Sequence, residues 1–383
     1  MKRLICAVLT AILIAASPAY ALSGAAISSD AHAYLLMDLN SHTVIAEKNA
    51  YESLDPAGLV RLPALLTACE AFDNGSADES AVTVVSREAS QIKGSTAFIA
   101  ENEHIRLGEL LKAAVVINAG DALLSLLMGI FGSEASILEA ESACMTRLGL
   151  SSSSNALGRG DTYSLFDLAK VCIALSESPA FLKYSSVYTD TLPHEKAPAT
   201  ELTNPNRLVR FYSGCFGIAT GSVGQTDYCG AFAARRGSSS FLALVAGAPD
   251  SSSRFKTAQD LLDHAFSNYR HFSLSEEGEI MGRVTVTGGI KTSVPAVTAS
   301  RIDLLVPVNC KKLVSEAVLP ELIEAPVVKG AHIGDLIIKD SEGNTAASLP
   351  LVAAESVEKA RFSDWFGLIA ASWLGGFTAG PWD

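Results

Sequence analysis

The apolar pattern in the first part of the chain predicts a hairpin followed by helices. Two strand-like runs, Ala33–Asp38 and Thr43–Lys48, flank a short polar turn. From Leu59 to Phe72 apolar residues recur at helical spacing, and this segment ends near an Asn-Gly pair. The apolar-rich segments 107–132 and 134–148 predict one further helix each.

After one more helix the pattern returns to strands. Ser164 has the position of an N-cap before a helical run, with an acidic residue three positions later. Cys229–Ala234 and Phe241–Ala246 flank an Arg-Arg-Gly turn and predict a second hairpin, and Phe255–Phe266 predicts an amphipathic helix. This order of elements predicts an α+β domain over residues 22–271, with helices packed on an antiparallel sheet.

A different pattern begins near residue 272. Short strand-like runs alternate with Gly, Pro and Asn, which predicts a small all-β domain over residues 272–356. The strand-like runs are Gly282–Gly289, Arg301–Val308, Pro326–Gly334 and Leu336–Ile338.

The first residues have the pattern of a secretory signal peptide. Lys2 and Arg3 precede the uncharged apolar stretch Leu4–Ala16, and small residues stand at the expected positions before a cleavage point after Ala21. Removal of residues 1–21 would accompany export of the chain.

The segment 357–383 is apolar and aromatic. From Trp365 to Trp382 it carries no charge, and a helix from about Val357 to Leu374 would place several apolar side chains on one face. We therefore predict that this tail associates with a membrane surface as an interfacial amphipathic helix. Docking of the same helix on the protein's own surface is the alternative.

Composition narrows the classes of function. With 49% hydrophobic and 18% charged residues the chain can bury a large core. Its net charge of −12, without a Lys/Arg cluster, argues against nucleic acid as a partner. Histidines and cysteines are dispersed without metal-ligand spacing, so we predict no metal site. The cysteines after the leader are either buried thiols or include a Cys215–Cys229 disulfide.

Three segments of the first domain follow the motifs of one peptidase family but with altered side chains. The first is Pro56-Ala57-Gly58-Leu59-Val60-Arg61, where the family has P-A-S-x-x-K. The second is Asn118-Ala119-Gly120-Asp121-Ala122, where it has S-G-N-D-A, and the third is Gly217-Ile218-Ala219-Thr220-Gly221, where it has G-x-K-T-G. In order and spacing the chain resembles the low-molecular-mass penicillin-binding proteins, the D-alanyl-D-alanine carboxypeptidases of peptidase family S11.

This resemblance implies a transpeptidase/β-lactamase-like domain, in which helices flank an antiparallel sheet, then a small all-β C-terminal domain and a terminal amphipathic helix. It implies a place on the extracytoplasmic face of the cell membrane and a role in peptidoglycan metabolism. The ligand would be the D-Ala-D-Ala end of a peptidoglycan stem peptide. Neither a metal nor an organic cofactor would be needed.

The altered motif positions remove the family's chemistry. In the family the serine forms an acyl-enzyme, and the lysine one helical turn later shares the proton transfers. Gly58 has no side chain to acylate, and Arg61 stays protonated and cannot act as a general base. Asn118 lacks a hydroxyl, Gly120 lacks an amide side chain and Ala219 lacks an ammonium group. We therefore expect no intact catalytic site.

Groups that bind substrate are retained in part. The backbone N–H groups of Gly58 and Ser222 would stand at the family's oxyanion-hole positions. Thr220 would hydrogen-bond a substrate carboxylate beside Gly221, although both residues could also be kept for the fold. Arg254 or Arg61 would pair with a substrate carboxylate, and the alternative for Arg254 is a solvated surface charge.

The main hypothesis is an exported pseudoenzyme that binds stem peptides or a cell-wall assembly protein. The first alternative is an active serine-type carboxypeptidase with rearranged catalytic residues, in which Ser213 or Ser222 replaces the nucleophile. The second is a structural envelope protein with a closed cleft. The tripeptide Arg159-Gly160-Asp161 is attributed to chance.

Overall fold

The computed structural model describes residues 27–151, 153–310, 313–340, 343 and 345–361. The chain divides into two compact units, the first ending at His271 and the second beginning at Phe272. The predicted signal peptide, residues 1–21, lies outside the described residues.

The first unit contains strands and helices in alternating groups. Its strands are β1 (Ala33–Asp38), β2 (Val44–Lys48), β3 (Val82–Val84), β4 (His104–Arg106), β5 (Thr189–Leu192), β6 (Thr200–Thr203), β7 (Cys215–Val223), β8 (Asp227–Arg236) and β9 (Ser239–Ala248). Its helices are α1 (Leu62–Asp73), α2 (Arg87–Ser90), α3 (Leu107–Ile117), α4 (Gly120–Phe131), α5 (Glu134–Arg147), α6 (Leu165–Glu177), α7 (Pro179–Ser185), α8 (Leu208–Phe211) and α9 (Ser251–Asn268), and the 3₁₀ helix Ala57–Arg61 precedes α1.

A five-stranded antiparallel sheet of order β2-β1-β9-β8-β7 organises this unit. Helices α6 and α9 both pack on the sheet. The two predicted hairpins are confirmed as β1-β2 and β8-β9, and the α+β prediction is confirmed with them. The predicted N-cap is also present, because Ser164 Oγ accepts a hydrogen bond from the amide of Asp167 over 3.1 Å.

Helix α1 is the central helix of the core. Its predicted apolar positions are buried, and so are Ala64, Thr67 and Ala68 on its other sides. A helix enclosed in this way packs on neighbours all round instead of showing one face to solvent. It begins three residues later than its apolar spacing suggests, because the 3₁₀ helix Ala57–Arg61 forms the first turns.

The prediction of one helix over residues 107–132 is wrong. The segment breaks into α3 and α4 at Asn118, whose φ of 52° and ψ of 43° are left-handed. Asparagine tolerates this conformation better than most residues, and here it ends α3. Apolar spacing alone does not detect the break, since apolar residues continue on both sides of it.

The second unit is built on a six-stranded sheet of order β14-β16-β17-β12-β11-β15. Alternating apolar residues of its strands form a core of their own, which includes Val284, Val294, Leu336 and Leu351. This confirms the predicted all-β domain. The strands are β10 (Tyr269–Ser275), which runs across the division between the units, β11 (Ile280–Thr287), β12 (Ser293–Thr298), β13 (Ile302–Pro307), β14 (Val314–Val318), β15 (Leu322–Glu324), β16 (His332–Lys339) and β17 (Thr345–Ala353).

Two local predictions for this unit are corrected. Pro326–Gly334 is not a continuous strand, because a turn with Gly330 at φ 82° precedes β16. The predicted tail helix does not begin at Val357: this residue is fully buried in the core of the second unit and exchanges two backbone hydrogen bonds with Val327, of 2.8 and 2.9 Å. The rest of the predicted helix, from residue 362 onward, lies outside the described residues.

The proposed Cys215–Cys229 disulfide is absent, and both residues are buried free thiols. Cys215 lies opposite Ala234 in the β7–β8 pairing, whereas Cys229 lies opposite Gly221. The two sulfurs are therefore at distant points along the strands. Burial raises the pKa of Cys215 to about 11.

No single helix in the described part of the chain is long and apolar enough to cross a membrane. Helices α4 and α5 together reach the length and apolar composition of such a span, but they are bent by 92° relative to each other.

Candidate functional site

The predicted site residues converge on a cleft of about 700 Å³ in the first unit. Residues of the 3₁₀ helix, of the break between α3 and α4 and of β7 form its walls. Seven of the residues singled out in the sequence line it: Gly58, Arg61, Asn118, Thr220, Gly221, Ser222 and Arg254. Gly120 and Ala219 lie outside this lining; Gly120 is buried beside Arg61, and Ala219 belongs to the hydrophobic core.

The position predicted for the nucleophile is enclosed. A Cβ on Gly58 would lie 3.0 Å from Asn118 Nδ2 and 3.3 Å from Gly221 Cα. The same Asn118 Nδ2 donates a hydrogen bond to the Gly58 carbonyl over 2.8 Å. Even a small side chain at Gly58 would therefore require its neighbours to shift.

The backbone of strand β7 lies directly against the backbone of the 3₁₀ helix. A Cβ on Gly221 would lie 2.3 Å from the nitrogen of Gly58 and 2.7 Å from its α-carbon. Such an approach needs glycine at position 221. The Gly58 nitrogen, expected as an oxyanion donor with Ser222, is thus in close contact with the backbone of Gly221.

Arg61 fills the space that the absent side chain of Gly120 leaves. A Cβ on Gly120 would lie 2.9 Å from Arg61 Cζ and 3.0 Å from its Nη2. Arg61 Nη1 donates to the carbonyl of Asn118 over 2.6 Å, which fixes the guanidinium at the helix break. Burial lowers the pKa of Arg61, the charge of Arg159 lowers it further, and Asp121 opposes both effects.

Asp121 fixes the loop between α2 and β4, which forms one side of the cleft. It is 2% exposed, and its carboxylate accepts the amides of Ala97 and Ile99 at 2.9 and 3.4 Å. This loop brings Lys93 and Ser95 to the cleft wall. Ser95 Oγ donates to the carbonyl of Ile117 over 2.5 Å, so its proton is already engaged.

Arg254 is not a solvated surface charge. It is 6% exposed, and its Nη1 donates to the carbonyls of Gly221 and Cys229 at 2.9 and 3.1 Å. Its guanidinium lies 4.6 Å from the ring centroid of Phe255. Its Nε is buried with no hydrogen-bond partner among the described residues. Burial lowers the pKa of Arg254 to about 10, so it is charged at neutral pH.

Two further cations line the cleft, Lys93 and Arg159, and neither was predicted from the sequence. Arg159 belongs to the tripeptide attributed to chance, and its charge reaches Arg61. Both cations lie in irregular segments, each directly before a glycine, and no periodicity marks such positions. With Arg61 and Arg254 the lining contains four cations and one carboxylate, that of Asp55. The cleft is therefore cationic in a chain of net charge −12.

Comparison with known families agrees with this architecture. A model described as D-alanyl-D-alanine carboxypeptidase, peptidase S11, matches residues 20–250. A second model, described as the C-terminal domain of penicillin-binding protein 5, matches residues 269–359. The first match covers more than half of the chain. The chain therefore belongs to the peptidase S11 family of D-alanyl-D-alanine carboxypeptidases.

Individual relatives match over nearly their whole length. The chain is 28% identical over 354 residues to the D-alanyl-D-alanine carboxypeptidase DacF of Bacillus subtilis, covering 91% of each chain. It is 24% identical to DacC of Escherichia coli, covering 89% of this chain and 90% of the relative. Penicillin-binding protein 5 from Haemophilus influenzae has the same fold, with a TM-score of 0.79 at 21% identity over 88% of this chain and 99% of the other.

The contact between Arg61 and Gly120 can be tested by a double-mutant cycle. Gly120→Asn should lower the free energy of unfolding by about 1–3 kcal/mol, because the new side chain overlaps the guanidinium. In an Arg61→Ala background the same substitution should cost about 1 kcal/mol less. Urea denaturation of the four proteins measures both values.

Gly132→Asn is the matched control. Gly132 caps the same helix at φ 81°, a Cβ there would have nothing within 4 Å, and asparagine tolerates this conformation. Any cost of placing a side chain on this left-handed backbone should be the same in the native and the Arg61→Ala backgrounds. An equal cost of Gly120→Asn in both backgrounds would show that Arg61 does not occupy this space.

Proposed function

We propose that this protein binds the D-Ala-D-Ala end of peptidoglycan stem peptides without hydrolysing it. Membership of the family makes it a protein of peptidoglycan metabolism. The observation that carries the proposal is the enclosure of Gly58 by Asn118 and the backbone of β7, beside a cleft that is open and cationic. A chain of this family that lacks the nucleophile but keeps the cleft is best explained as a binding protein.

Among the described residues that line the cleft, no hydroxyl is hydrogen-bonded to a side chain that could act as its base. Removal of the nucleophile alone costs roughly 10⁶-fold in a serine protease. Arg61 cannot take up a proton, and no histidine is among the residues that line the cleft. Ser222 lines the cleft without a base in hydrogen-bond contact among the described residues, and Ser213 is not part of the lining. These observations disfavour the alternative of an active carboxypeptidase with rearranged residues.

The groups that remain suit a carboxylate. Thr220 is on β7 at the cleft wall, and Arg254 lies behind it with its charge retained at neutral pH. Nη2 of Arg254 makes one long hydrogen bond, to Ser251 Oγ at 3.4 Å, so part of its donor capacity remains for a ligand. A cavity of about 700 Å³ also disfavours a structural protein with a closed cleft. A cell-wall assembly protein could bind to Thr220 and Arg254 through its own C-terminal carboxylate.

The first prediction is that a fluorescent penicillin forms no covalent adduct. Purified protein should show no mass increase after incubation, because no acylable side chain stands at Gly58. The Gly58→Ser variant should also stay unmodified, since it restores a hydroxyl without a base. An intact family member incubated in parallel is the positive control. A stoichiometric adduct on any cleft residue of the native protein contradicts the proposal.

The second prediction concerns reversible binding. A peptide ending in D-Ala-D-Ala should bind with millimolar to high-micromolar affinity, on the order of 4–6 kcal/mol. The same peptide with an amidated C-terminus should bind worse, since Thr220 and Arg254 lose their anionic partner. Thr220→Val should weaken binding of the acid about threefold to tenfold. Calorimetry or NMR titration measures these affinities.

The matched control is Thr203→Val, at an exposed threonine on β6 that does not line the cleft. It should leave the affinity unchanged. Equal binding of the acid and the amide, or no binding at millimolar concentration, would favour a scaffold that does not recognise stem peptides.

The third prediction concerns location. We propose that the chain is exported with cleavage after Ala21 and that residues 362–383 attach it to the extracytoplasmic face of the membrane. Since Val357 belongs to the core of the second unit, the deletion that tests this must begin after Arg361. The shortened protein should move from the membrane fraction to the soluble fraction, whereas the full chain should stay with membranes. Retention of the shortened protein on membranes contradicts the assignment.

A further inference from the structure

The cations of the cleft form two groups. Arg254 lies behind β7 and donates to the carbonyl of Gly221, beside Thr220. The other three cations come from three other segments: Arg61 from the 3₁₀ helix, Lys93 from the loop between α2 and β4, and Arg159 from the loop between α5 and α6. The charge of Arg159 lowers the pKa of Arg61, which places these two guanidinium groups within electrostatic reach of each other.

None of the second group has an anionic partner among the described residues. Arg61 donates to a carbonyl, and no ion pair involves Lys93 or Arg159 within the described ranges. The nearby carboxylates are already committed. Asp121 accepts backbone amides of the loop, and Asp161 accepts the amide of Ser154 over 2.9 Å and its hydroxyl over 2.5 Å. The fold thus holds like charges together, and although the charge of Asp121 acts on Arg61, none of the three cations forms an ion pair among the described residues.

The surroundings of Arg61 leave its guanidinium accessible from the cleft. Gly94, at φ 98°, has no side chain, and a Cβ there would lie 3.8 Å from Arg61 Nη2. Gly120 on the other side is also without a side chain. A guanidinium has five N–H donors, and the hydrogen bond to the carbonyl of Asn118 uses one of its nitrogens. Donors remain for a planar, bidentate acceptor, which is the geometry of a carboxylate.

We propose that Arg61 and Arg159, assisted by Lys93, form a second anion subsite in the space where the family keeps its catalytic side chains. The subsite takes a carboxylate of the ligand other than the C-terminal carboxylate that Thr220 and Arg254 hold. The preferred ligand is therefore a peptide that carries a free side-chain or α-carboxylate upstream of its terminal D-Ala-D-Ala. This identification of the ligand rests on the proposed function, whereas the subsite itself does not.

Two matched pentapeptides ending in D-Ala-D-Ala test the ligand. One has a glutamate upstream and the other a glutamine, which differs only in replacing the carboxylate by an amide. The glutamate peptide should bind roughly tenfold more tightly to the native protein, the value of one charge-assisted hydrogen-bonded pair. Arg159→Gln should abolish this difference. It should leave binding of the glutamine peptide unchanged, because Thr220 and Arg254 still hold the terminal carboxylate.

Arg87→Gln is the charge-matched control, at an exposed arginine of the same unit that does not line the cleft. It should leave the tenfold preference intact. If Arg87→Gln abolished the preference as Arg159→Gln does, the preference would depend on net charge alone, and the proposed subsite would be wrong. Equal binding of the two peptides to the native protein would also overturn it, without touching the proposed function, provided that both still need their terminal carboxylate.

A titration with glutarate keeps the subsite testable if neither peptide binds. The ¹⁵Nε resonance of Arg61 should shift on addition of glutarate to the native protein, and the apparent affinity should fall several-fold in Arg159→Gln but not in Arg87→Gln. This result would support the subsite even though the proposed function had failed. No shift in the native protein would overturn the subsite.

Discussion

The contact on which the site depends is the close approach of β7 to the 3₁₀ helix. A Cβ on Gly221 would lie 2.3 Å from the nitrogen of Gly58, so the two backbones meet with no side chain between them. Asn118 completes the enclosure from the left-handed break between α3 and α4. Three segments distant in sequence are thereby held at one point, and the cleft opens beside it. Gly58 lines this cleft, but Asn118 and Gly221 leave little room for a side chain on it.

Gly120 and Arg61 depend on each other because the side chain of one occupies the space that the other leaves. Gly120 leaves a space, and the guanidinium of Arg61 lies within 3.0 Å of where its Cβ would be. Reverting either residue alone would produce a clash or a void, both of which are destabilising. The two departures from the family pattern are thus parts of one local packing solution, and this solution also introduces a permanent charge.

Periodicity and motif spacing were sufficient for the architecture. The hairpins, the cap at Ser164 and the all-β second unit all follow from local patterns, since each depends on residues close in sequence. The helix break at Asn118 was not predictable from apolar spacing, because the residues on both sides are equally apolar. Lys93 and Arg159 were missed for a related reason. They lie on irregular loops, and the position of such loops in space depends on tertiary contacts that local sequence patterns do not reveal.

The charge of the cleft is opposite in sign to the net charge of the chain. An acidic chain with net charge −12 should repel an anionic ligand at long range, yet the cleft gathers four cations against one carboxylate. Holding cations together in a partly desolvated cleft is unfavourable unless something of opposite charge occupies it. Arg254 also has a structural role, because its Nη1 donates to the carbonyls of Gly221 on β7 and Cys229 on β8. The proposed recognition of a carboxylate would supply the opposite charge to the four cations, and it would need neither a nucleophile nor a general base.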